Sequence, residues 1–402
     1  MRKRGLKDVK RRNRQVVVEA VMENGGLSRV EIAQRLGLTT ATITGVVNPM
    51  ISAGLLRETA ASTEEAKGAG RPRMMLEFVP EAHYICGVDV GPYRTSYILT
   101  DLQGTTVATR HTDQPLGEYR ETLERLAEQI PAFLKESGIS GEKILGVGIC
   151  LPGMIDGSAD KIYDIFHEGW TEHSFSGELE KRIGIKVEVE NNVRARAISA
   201  ELFDRMVRAE PFAYFFVSFG VACQMIIDGK VLYGQSAAAG EIGHTVVQRD
   251  GPVCPTCGNR GCLEALTGER AILQRCRDIM ATDRPTVLRE ICPDAGCLTM
   301  DQVLMAQELG DREVSYVIGD AIEYLGIALA NTINLISPRA VVLEGRILST
   351  PKNQELMRRV VERYMFHIHV GVTDFTFLPH DPNRGARAAA AVVVGEFLGR
   401  PM

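Results

Sequence analysis

The amino-acid sequence predicts an α/β protein made of a small, mostly helical N-terminal module, residues 1–80, and a larger domain, residues 81–402. Apolar residues recur at helical spacing three times in the first 54 residues, whereas β-rich runs start near residue 84. The net charge also changes sign between the two parts. Residues 1–80 hold 14 Lys and Arg against 8 Asp and Glu, or +6, and the remainder holds 32 against 43, or −11.

The overall composition is that of a globular chain. With 402 residues, of which 45% are hydrophobic and 24% charged, it has room for two or three domains and a substantial core. No apolar run approaches the ~18 residues of a membrane span, and the charged start lacks the apolar segment of a secretory signal. Because nine cysteines without such a signal fit a reducing compartment, we expect a cytoplasmic protein that does not enter a membrane.

Three helices are predicted in the N-terminal module. The first covers residues 8–24 and is ended by two glycines. Ser28 and Glu31 have the spacing of a capping box, which starts a second helix. After a short turn, Thr39 or Thr40 begins a third helix with apolar residues at helical spacing. This arrangement predicts a helix-turn-helix whose last helix would enter the DNA major groove.

Small polar side chains lie at the front of the third helix, where base edges would meet it. Thr methyl groups can contact thymine, and an Asn amide can pair with adenine. Each Thr could equally be a surface or capping residue, and Pro49 could kink the helix. The candidate base-contacting residues are Thr40, Thr42, Thr44 and Asn48.

Residues 55–58 and 74–78 have the pattern of two strands and predict a wing beside the helices. The segment between them ends in Arg71 and Arg73, separated by a proline. These arginines could enter the minor groove, or they could be exposed cations of a linker. Eight basic residues also lie among residues 2–14, and they indicate either phosphate contacts or a solvated tail.

Three cysteines and one histidine lie within nineteen residues of the larger domain. His244 precedes Cys254, Cys257 and Cys262, with two glycines between the last two cysteines. Such a group can form the tetrahedral shell that suits zinc in structural sites, and the glycines let the loop turn back on one ion. The alternative is a set of buried free cysteines. We expect zinc at these four residues.

His244, the cysteines and the following Glu264 resemble the zinc signature of the ROK family, which contains repressors and sugar kinases on an actin-like ATPase fold. The family pattern is Cys-x-Cys-Gly-x-x-Gly-Cys, and this chain has one extra residue between the first two cysteines. The N-terminal module resembles the winged helix-turn-helix of the family's repressors. The resemblance implies a two-lobed, ribonuclease H-like ROK domain, with lobe one at about 81–205 plus 386–402 and lobe two at about 206–385.

The same resemblance implies that kinase activity is lost. Pro92 and Tyr93 stand where the family's phosphate turn has Gly-Thr, and proline removes a backbone donor. Glu344 stands in another phosphate loop, where it would repel an anion. Asn192 replaces the catalytic Asp and cannot accept the sugar's proton, so we expect no catalytic residue and no enzyme. A second Gly-rich turn is replaced by Val221, Ala222, Gln224 and Met225.

Sugar-contacting roles, by contrast, carry over from the family. A polyol needs several amide and carboxylate groups to fix its hydroxyls. His244 can donate to a hydroxyl from one ring nitrogen while the other binds zinc, so the metal would hold the pocket in shape. From the residues alone, an Asn pair at a helix start is more often a helix cap than a ligand site. The resemblance places Gly153 and Asp156 in a segment that lines the interdomain cleft, but Asp156 could equally be a turn residue. The implied sugar ligands are Asn191, Asn192, Glu241, His244 and Glu264.

Together these features predict a sugar-responsive DNA-binding transcriptional regulator, a repressor of carbohydrate uptake or catabolism genes. Its expected partners are operator DNA and a small-molecule sugar or sugar phosphate. Sugar binding would change lobe closure and the spacing of paired DNA-binding modules, so we expect a homodimer or homotetramer. Two alternatives stay open: a ROK-type sugar kinase that retains a DNA-binding domain, and a regulator controlled by a partner protein.

Overall fold

The computed structural model describes residues 6–60, 74–156, 160–164, 170–171, 173–204, 211–227, 229–235 and 237–399. The chain forms two compact units, one of Met1–Leu151, His173–Glu190 and Gly385–Met402, the other of Pro152–Glu172 and Asn191–Arg384. Residues 191–204 thus make most of their contacts with the second unit. The lobe limits near residues 205 and 385, which the resemblance implies, stay a prediction.

In residues 6–60 and 74–80, the N-terminal module has three helices and three strands. The helices are α1 (Leu6–Asn24), α2 (Arg29–Leu36) and α3 (Thr40–Ser52). The strands are β1 (Leu27–Ser28), β2 (Leu56–Ala60) and β3 (Met74–Phe78), which pair antiparallel in the order β1-β3-β2. The predicted helix-turn-helix and the two wing strands are thus confirmed. Arg71 and Arg73, with the rest of residues 61–73, lie outside the described residues.

Local sequence signals determine the helix ends of this module. Ser28 and Glu31 form the predicted capping box, with the Glu31 carboxylate accepting from the Ser28 N–H at 2.8 Å. Gly37 ends α2 at φ 63°, a backbone conformation that glycine adopts at little cost. The side chain of Thr39 caps α3, which continues through Pro49 to its last residue. The apolar faces meet in a core that includes Val17, Val21, Ile32, Ile43, Val47 and Leu76.

The first unit also contains a five-stranded sheet in the order β10-β7-β4-β5-β6. Its strands are β4 (Tyr84–Val90), β5 (Thr95–Asp101), β6 (Thr106–Thr112), β7 (Ile144–Leu151) and β10 (Val187–Asn191), with helices α4 (Tyr119–Glu136), α5 (Phe175–Ile183) and α13 (Arg384–Leu398). Gly87 and Gly148 allow the alanine-rich α13 to approach the sheet. A Cβ atom at either glycine would lie 1.9 Å from a carbonyl oxygen of that helix.

The second unit contains a mixed five-stranded sheet in the order β13-β12-β11-β14-β15. Its strands are β11 (Phe212–Val217), β12 (Val221–Ile227), β13 (Lys230–Val231), β14 (Ala340–Gly345) and β15 (Asp374–Phe377), and a separate hairpin joins β8 (Met154–Asp156) to β9 (Lys161–Asp164). The helices are α6 (Asn192–Leu202), α7 (Leu263–Thr267), α8 (Glu269–Met280), α9 (Leu288–Ile291), α10 (Met300–Glu308), α11 (Arg312–Ile336) and α12 (Pro351–Tyr364).

A large apolar core lies between this sheet and its helices. The 25-residue α11 contributes a continuous buried face that includes Val317, Ile318, Ile322, Leu325 and Leu329. Gly326 allows α12 to approach α11, because a Cβ there would lie 2.4 Å from a methyl group of Val360. None of the helices in the described segments combines the length and hydrophobicity needed to span a bilayer.

Candidate functional site

The predicted metal ligands come together in space. His244 ends a short 3-10 turn, and the three cysteines lie on the loop that leads into α7. The ligand atoms of His244, Cys254, Cys257 and Cys262 all lie within 4.8 Å of one another. Within the group, Cys254 Sγ is 3.8 Å from His244 Nδ1, and Cys257 Sγ is 3.5 Å from Cys262 Sγ.

These distances fit a tetrahedral metal site. Metal–sulfur bonds of about 2.3 Å place two sulfurs about 3.8 Å apart, and a histidine nitrogen about 3.6 Å from a sulfur. The observed separations of 3.5 and 3.8 Å are close to those values. A disulfide between Cys257 and Cys262 would need about 2.05 Å and is not formed. Among the described residues, only these four form a His, Cys, Asp or Glu group of this kind.

Close backbone turns bring the ligands together. The Cys254 N–H donates to Asn259 O at 2.7 Å, and the Gly258 N–H donates back to Cys254 O at 2.9 Å. Gly261 has φ 72°, and a Cβ there would lie 1.6 Å from the carbonyl oxygen of Gln248. Position 261 therefore requires glycine if the last ligand, Cys262, is to reach the group.

The lowered pKa of one cysteine favours the binding of a cation. Burial works against ionisation of Cys257, but hydrogen bonds from the Asn259 backbone and the neighbouring thiols lower the pKa of Cys257 to about 7. Burial, followed by the neighbouring thiols, raises the pKa of Cys262 to about 12. The Cys257 thiol is therefore partly ionised near neutral pH, and the thiolate is the form that binds a metal ion.

Glu264 lies directly after the loop of residues 254–262 that carries the three cysteines, which we call the metal loop. Thr256, between the first two cysteines, donates a hydrogen bond from Oγ1 to Glu264 Oε1 at 2.6 Å. The other carboxylate oxygen lies against Gly220, where a Cβ atom would be 2.8 Å from Glu264 Oε2. The carboxylate is thus held from two sides, with one hydrogen bond inside the protein.

Glu241 lies near the same group. Burial raises the pKa of Glu241 above its usual value; the charges of His244 and Arg194 oppose this shift and that of Glu264 adds to it. The structure records no hydrogen bond to the Glu241 carboxylate within the described residues. A partly desolvated carboxylate in this state can accept hydrogen bonds from the hydroxyls of a polyol.

Arg194 is a positioning residue that the sequence reasoning missed. It is 2% exposed and donates to the carbonyl oxygens of Ala237, at 2.7 Å, and Ile155. Its guanidinium also lies over the ring of Tyr233. Arg194 therefore ties the segment before Glu241 to α6. The sequence signal was a pair of arginines, Arg194 and Arg196, among the small and apolar residues of α6.

The two asparagines at the start of α6 have different environments. Asn191 Oδ1 accepts from the backbone N–H groups of Val193 and Arg194, at 2.9 and 3.1 Å, and Asn191 Nδ2 donates to Gly153 O at 2.8 Å. Asn191 is therefore the N-cap of α6, the alternative that the residue pair left open. Asn192 is half-buried, and its side chain has no recorded hydrogen bond in the described part of the chain.

The segments aligned with phosphate loops are closed by local contacts. The turn that holds Pro92 and Tyr93 is bridged by a hydrogen bond from Gly91 N to Arg94 O at 3.0 Å. On β12, the amide of Gln224 donates to Leu232 O at 2.9 Å and to the carbonyl of the next residue. The Gln224 amide is therefore committed within the protein.

Glu344 does not have the environment that the sequence suggested. Tyr214 donates a hydrogen bond to its carboxylate, and the guanidinium groups of Arg196 and Arg384 each lie 3.5 Å from Glu344 Oε1. Burial, followed by the charge of Glu344, raises the pKa of Tyr214 well above its usual value, so the hydroxyl keeps its proton. Two cations therefore flank Glu344 and offset part of its negative charge, and the expectation that it repels phosphate stays a prediction.

The predicted DNA-contacting residues lie on different faces of α3. Thr40 and Asn48 are exposed, and Asn48 Oδ1 accepts from Arg29 Nη2 at 3.0 Å. Thr42 is half-buried beside the cap, with its hydroxyl 2.9 Å from that of Thr39. Thr44 donates its hydroxyl proton to a backbone carbonyl one turn earlier at 2.9 Å. Of the four residues, Thr40 and Asn48 are thus the ones exposed to solvent.

Comparison with known proteins identifies both parts of the chain. A profile of the ROK family matches residues 85–396, and a profile described as winged helix-turn-helix DNA-binding matches residues 11–57. The xylose repressor of Bacillus subtilis (strain 168) is 27% identical over 393 residues, 97% of each chain. The DNA-binding transcriptional dual regulator NagC of Escherichia coli (strain K12) is 28% identical over 346 residues, 86% of this chain and 82% of NagC.

Solved structures share the fold. A ROK family transcriptional regulator, described as a homolog of the E. coli MLC protein, matches with a TM-score of 0.84 and 23% identity over 98% of this chain and 97% of its own. The ROK hexokinase from Thermus thermophilus matches with a TM-score of 0.60 and 24% identity, over 78% of this chain and 99% of its own. Since the family profile covers well over half of the chain, this protein belongs to the ROK family and carries an N-terminal winged helix-turn-helix module.

Proposed function

We propose that the protein is a sugar-responsive transcriptional regulator that represses genes of carbohydrate uptake or catabolism. The order of its modules carries this proposal, because a DNA-binding winged helix-turn-helix precedes a ROK domain on one chain. Relatives that match most of the chain are a xylose repressor and the regulator NagC. Operator DNA and a sugar or sugar phosphate are the proposed partners, and the cytoplasm is the proposed location.

In this proposal zinc is the metal that the His244 group binds. Three thiolates and one imidazole are the ligands of closed structural zinc sites, and the spacing of the donor atoms supports the choice. Zinc would hold the loop that carries Thr256 and so keep Glu264 in place. Four protein ligands would fill the tetrahedral shell of the metal and leave no position for a substrate, so the proposed role of the metal is structural.

The proposed sugar site consists of side chains with hydrogen-bonding capacity beside the metal loop. Glu241 and Glu264 would accept from hydroxyls, and the Asn192 amide would donate and accept. His244 would donate from the ring nitrogen that does not bind the metal. Asn191 was also predicted to be a sugar ligand. In this proposal it positions its neighbour Asn192 by capping the start of α6 and by donating to Gly153 O.

For DNA binding we propose the outward face of α3, with Asn48 reading a base and Thr40 and Thr44 lying beside the contact. Thr42, which was also predicted to contact DNA, would support the start of the helix through Thr39. Arg71 and Arg73 would contact phosphate or the minor groove, although they lie outside the described residues. If Arg71 contacts phosphate, Arg71→Ala should weaken binding to all sequences and reduce its salt dependence. Two half-sites require two modules, which supports a homodimer or homotetramer.

The deciding experiment measures DNA affinity with and without sugars. Operator sequences selected from genomic fragments would be titrated by fluorescence anisotropy against a panel of pentoses, hexoses, N-acetylated sugars and their phosphates. We expect one sugar class to change operator affinity by about 5- to 150-fold. If DNA binding is specific but no sugar changes it or raises the melting temperature, control by a partner protein replaces this proposal.

A second candidate function is sugar phosphorylation, favoured by the shared fold with a ROK hexokinase. We propose that this activity is absent, since Pro92 and Tyr93 replace phosphate-binding residues and Asn192 replaces the catalytic base. ADP release would be measured with ATP, magnesium and the sugar panel, for the parent and for Asn192→Asp. Neither protein should turn over, because the base alone does not restore phosphate binding. A parent turnover of about one per second would overturn the proposal.

A further inference from the structure

One buried carboxylate of the second unit lies among donors from three different elements. Glu344, near the end of β14, is 6% exposed. The guanidinium groups of Arg196, on α6, and Arg384, the first residue of α13, each lie 3.5 Å from Glu344 Oε1. Tyr214, on β11, donates a hydrogen bond to the other carboxylate oxygen. We call Arg196, Arg384 and Tyr214 the oxyanion shell, and all four residues belong to the second unit.

The oxyanion shell is held in place by contacts that do not involve the carboxylate. The Arg196 guanidinium lies over the ring of Phe216, 4.6 Å from its centroid. Arg384 Nη2 donates to Pro379 O at 3.0 Å. Tyr214 is 1% exposed and belongs to an apolar cluster of the core. The three donors should therefore keep their positions when the carboxylate is removed.

The chemistry of the shell is that of a site for oxyanions. Arginine N–H groups bind carboxylate and phosphate oxygens through bonds of about 2.7–2.9 Å. Glu344 Oε1 lies farther from each guanidinium, at 3.5 Å, so a free anion that is not tethered to β14 would make shorter contacts. Within the described residues, the buried Nε of Arg384 also makes no hydrogen bond. The shell thus offers more donor groups than one carboxylate uses.

We propose that Glu344 is an intramolecular ligand, whose carboxylate fills an oxyanion-binding site formed by Arg196, Arg384 and Tyr214. While the carboxylate is in place, free phosphate and carboxylate ions are excluded, because the donors and the space are already taken. Without it, two buried guanidinium groups lose their counter-ion, so a small oxyanion binds in its place. An anion in this site also holds α6, the helix that begins with Asn192 of the proposed sugar site.

Thermal melting of Glu344→Ala in sodium chloride, sodium formate and sodium phosphate at equal ionic strength tests this proposal. In chloride the variant should melt well below the parent, because the guanidinium groups have lost their partner. Formate carries a carboxylate without the side chain. Formate and inorganic phosphate should each raise the melting temperature with concentration, as binding to the native state requires. The parent measures the general effect of each salt and should shift less.

The origin of the response is tested in two further variants. Glu344→Ala/Arg384→Ala lacks one guanidinium and should bind phosphate at least ~10-fold more weakly than Glu344→Ala, as expected when a charged contact is lost. Glu355→Ala is the control, because it removes a carboxylate from an exposed ion pair with Arg359 on α12. This control should respond to each salt as the parent does.

A milder variant keeps the test decisive if Glu344→Ala does not fold in any salt. Glu344→Gln removes the charge but keeps the size of the side chain. A neutral amide is held less strongly by the guanidinium groups than a carboxylate is, so a free anion can displace it. Its response to formate and phosphate should therefore exceed that of the parent and stay below that of a folded Glu344→Ala. Hydrogen exchange measured by mass spectrometry should show α6 exchanging faster in either variant and more slowly again in formate.

Three results would overturn the proposal. They are variants that respond to formate and phosphate no more than the parent, a response that survives Arg384→Ala, and a parent that binds phosphate as tightly as Glu344→Ala does. None of these measurements uses DNA or sugar, so the oxyanion site and the proposed regulator function are judged separately.

Discussion

Thr256 Oγ1 lies 2.6 Å from Glu264 Oε1, so a residue between two cysteines of the proposed metal group donates a hydrogen bond to a carboxylate of the proposed sugar site. The two-residue spacer between Cys254 and Cys257 is one residue longer than in the family signature. Thr256 is one of the two residues of this spacer, and its hydroxyl is the group that contacts Glu264. The metal loop and the proposed sugar site are therefore joined through one side-chain contact.

Replacing Thr256 should weaken sugar binding without releasing the metal. Thr256→Ala removes one hydrogen bond to a charged group, a contact worth about 1.5–3 kcal/mol. Because this contact acts on the sugar only through the orientation of Glu264, sugar affinity should fall by less than the roughly 10- to 150-fold that this energy corresponds to. Calorimetric titration with the sugar that most stabilises the parent measures the change. Thr256→Ser keeps the hydroxyl and should bind as the parent does. Equal affinities for the Ala and Ser variants would show that the contact does not orient Glu264.

Removing one cysteine of the metal group should release zinc and destabilise the fold. The parent should contain about one zinc per chain, and Cys257→Ser should lose it together with several kcal/mol of stability, because metal binding is coupled to the folding of the loop that supplies the ligands. Metal analysis by mass spectrometry and thermal melting measure the two effects. Cys297→Ser, at an exposed cysteine outside the group, is the control. Undiminished zinc in Cys257→Ser would refute the ligand assignment.

Features that depend on near neighbours were predictable from the sequence. The Ser28 and Glu31 capping box involves residues three apart, and the four metal ligands lie within nineteen residues, so both follow from spacing. The environment of Glu344 was not predictable, because its partners Tyr214 and Arg196 are 130 and 148 residues away. Helical spacing identified α3. Residue type alone did not show which of its Thr side chains form hydrogen bonds with the backbone of the same helix, as Thr44 does.

The two asparagines of α6 should separate stability from sugar affinity. Asn191→Ala removes the N-cap and its bond to Gly153, and should cost about 1–2 kcal/mol of unfolding free energy. Asn192→Ala removes no recorded hydrogen bond in the described region and should leave stability within about 0.5 kcal/mol while weakening sugar binding. Urea unfolding and sugar titration measure both quantities. A stable Asn191→Ala, or an Asn192→Ala with parental sugar affinity, would contradict this division.

On α3, Asn48 and Thr42 should behave differently. Asn48→Ala should reduce discrimination between operator and mutated operator by about 1–3 kcal/mol, since the exposed amide can reach a base edge. Thr42→Ala should lower the stability of the module more than its discrimination, because the Thr42 hydroxyl faces the cap residue Thr39. Anisotropy titrations against operators with single base changes measure discrimination, and thermal melting measures stability. If Thr42→Ala alone lost discrimination, the exposed face of α3 would not be the reading surface.

Replacing Glu264 should weaken the response to sugar without changing the affinity for operator DNA. Its carboxylate keeps acceptor capacity beyond the Thr256 bond, and hydrogen bonds to a charged group contribute about 1.5–3 kcal/mol, so Glu264→Ala should weaken sugar binding by roughly 10- to 150-fold. Operator affinity without sugar should stay at the parental value, because Glu264 lies in the second unit and the DNA-reading helix in the first. Anisotropy titrations at increasing sugar concentration would therefore show an intact operator complex that no longer responds. Glu308→Ala, on α10, is the matched control. A Glu264→Ala protein that responds to sugar at the parental concentration would remove Glu264 from the site, even if the protein is a regulator.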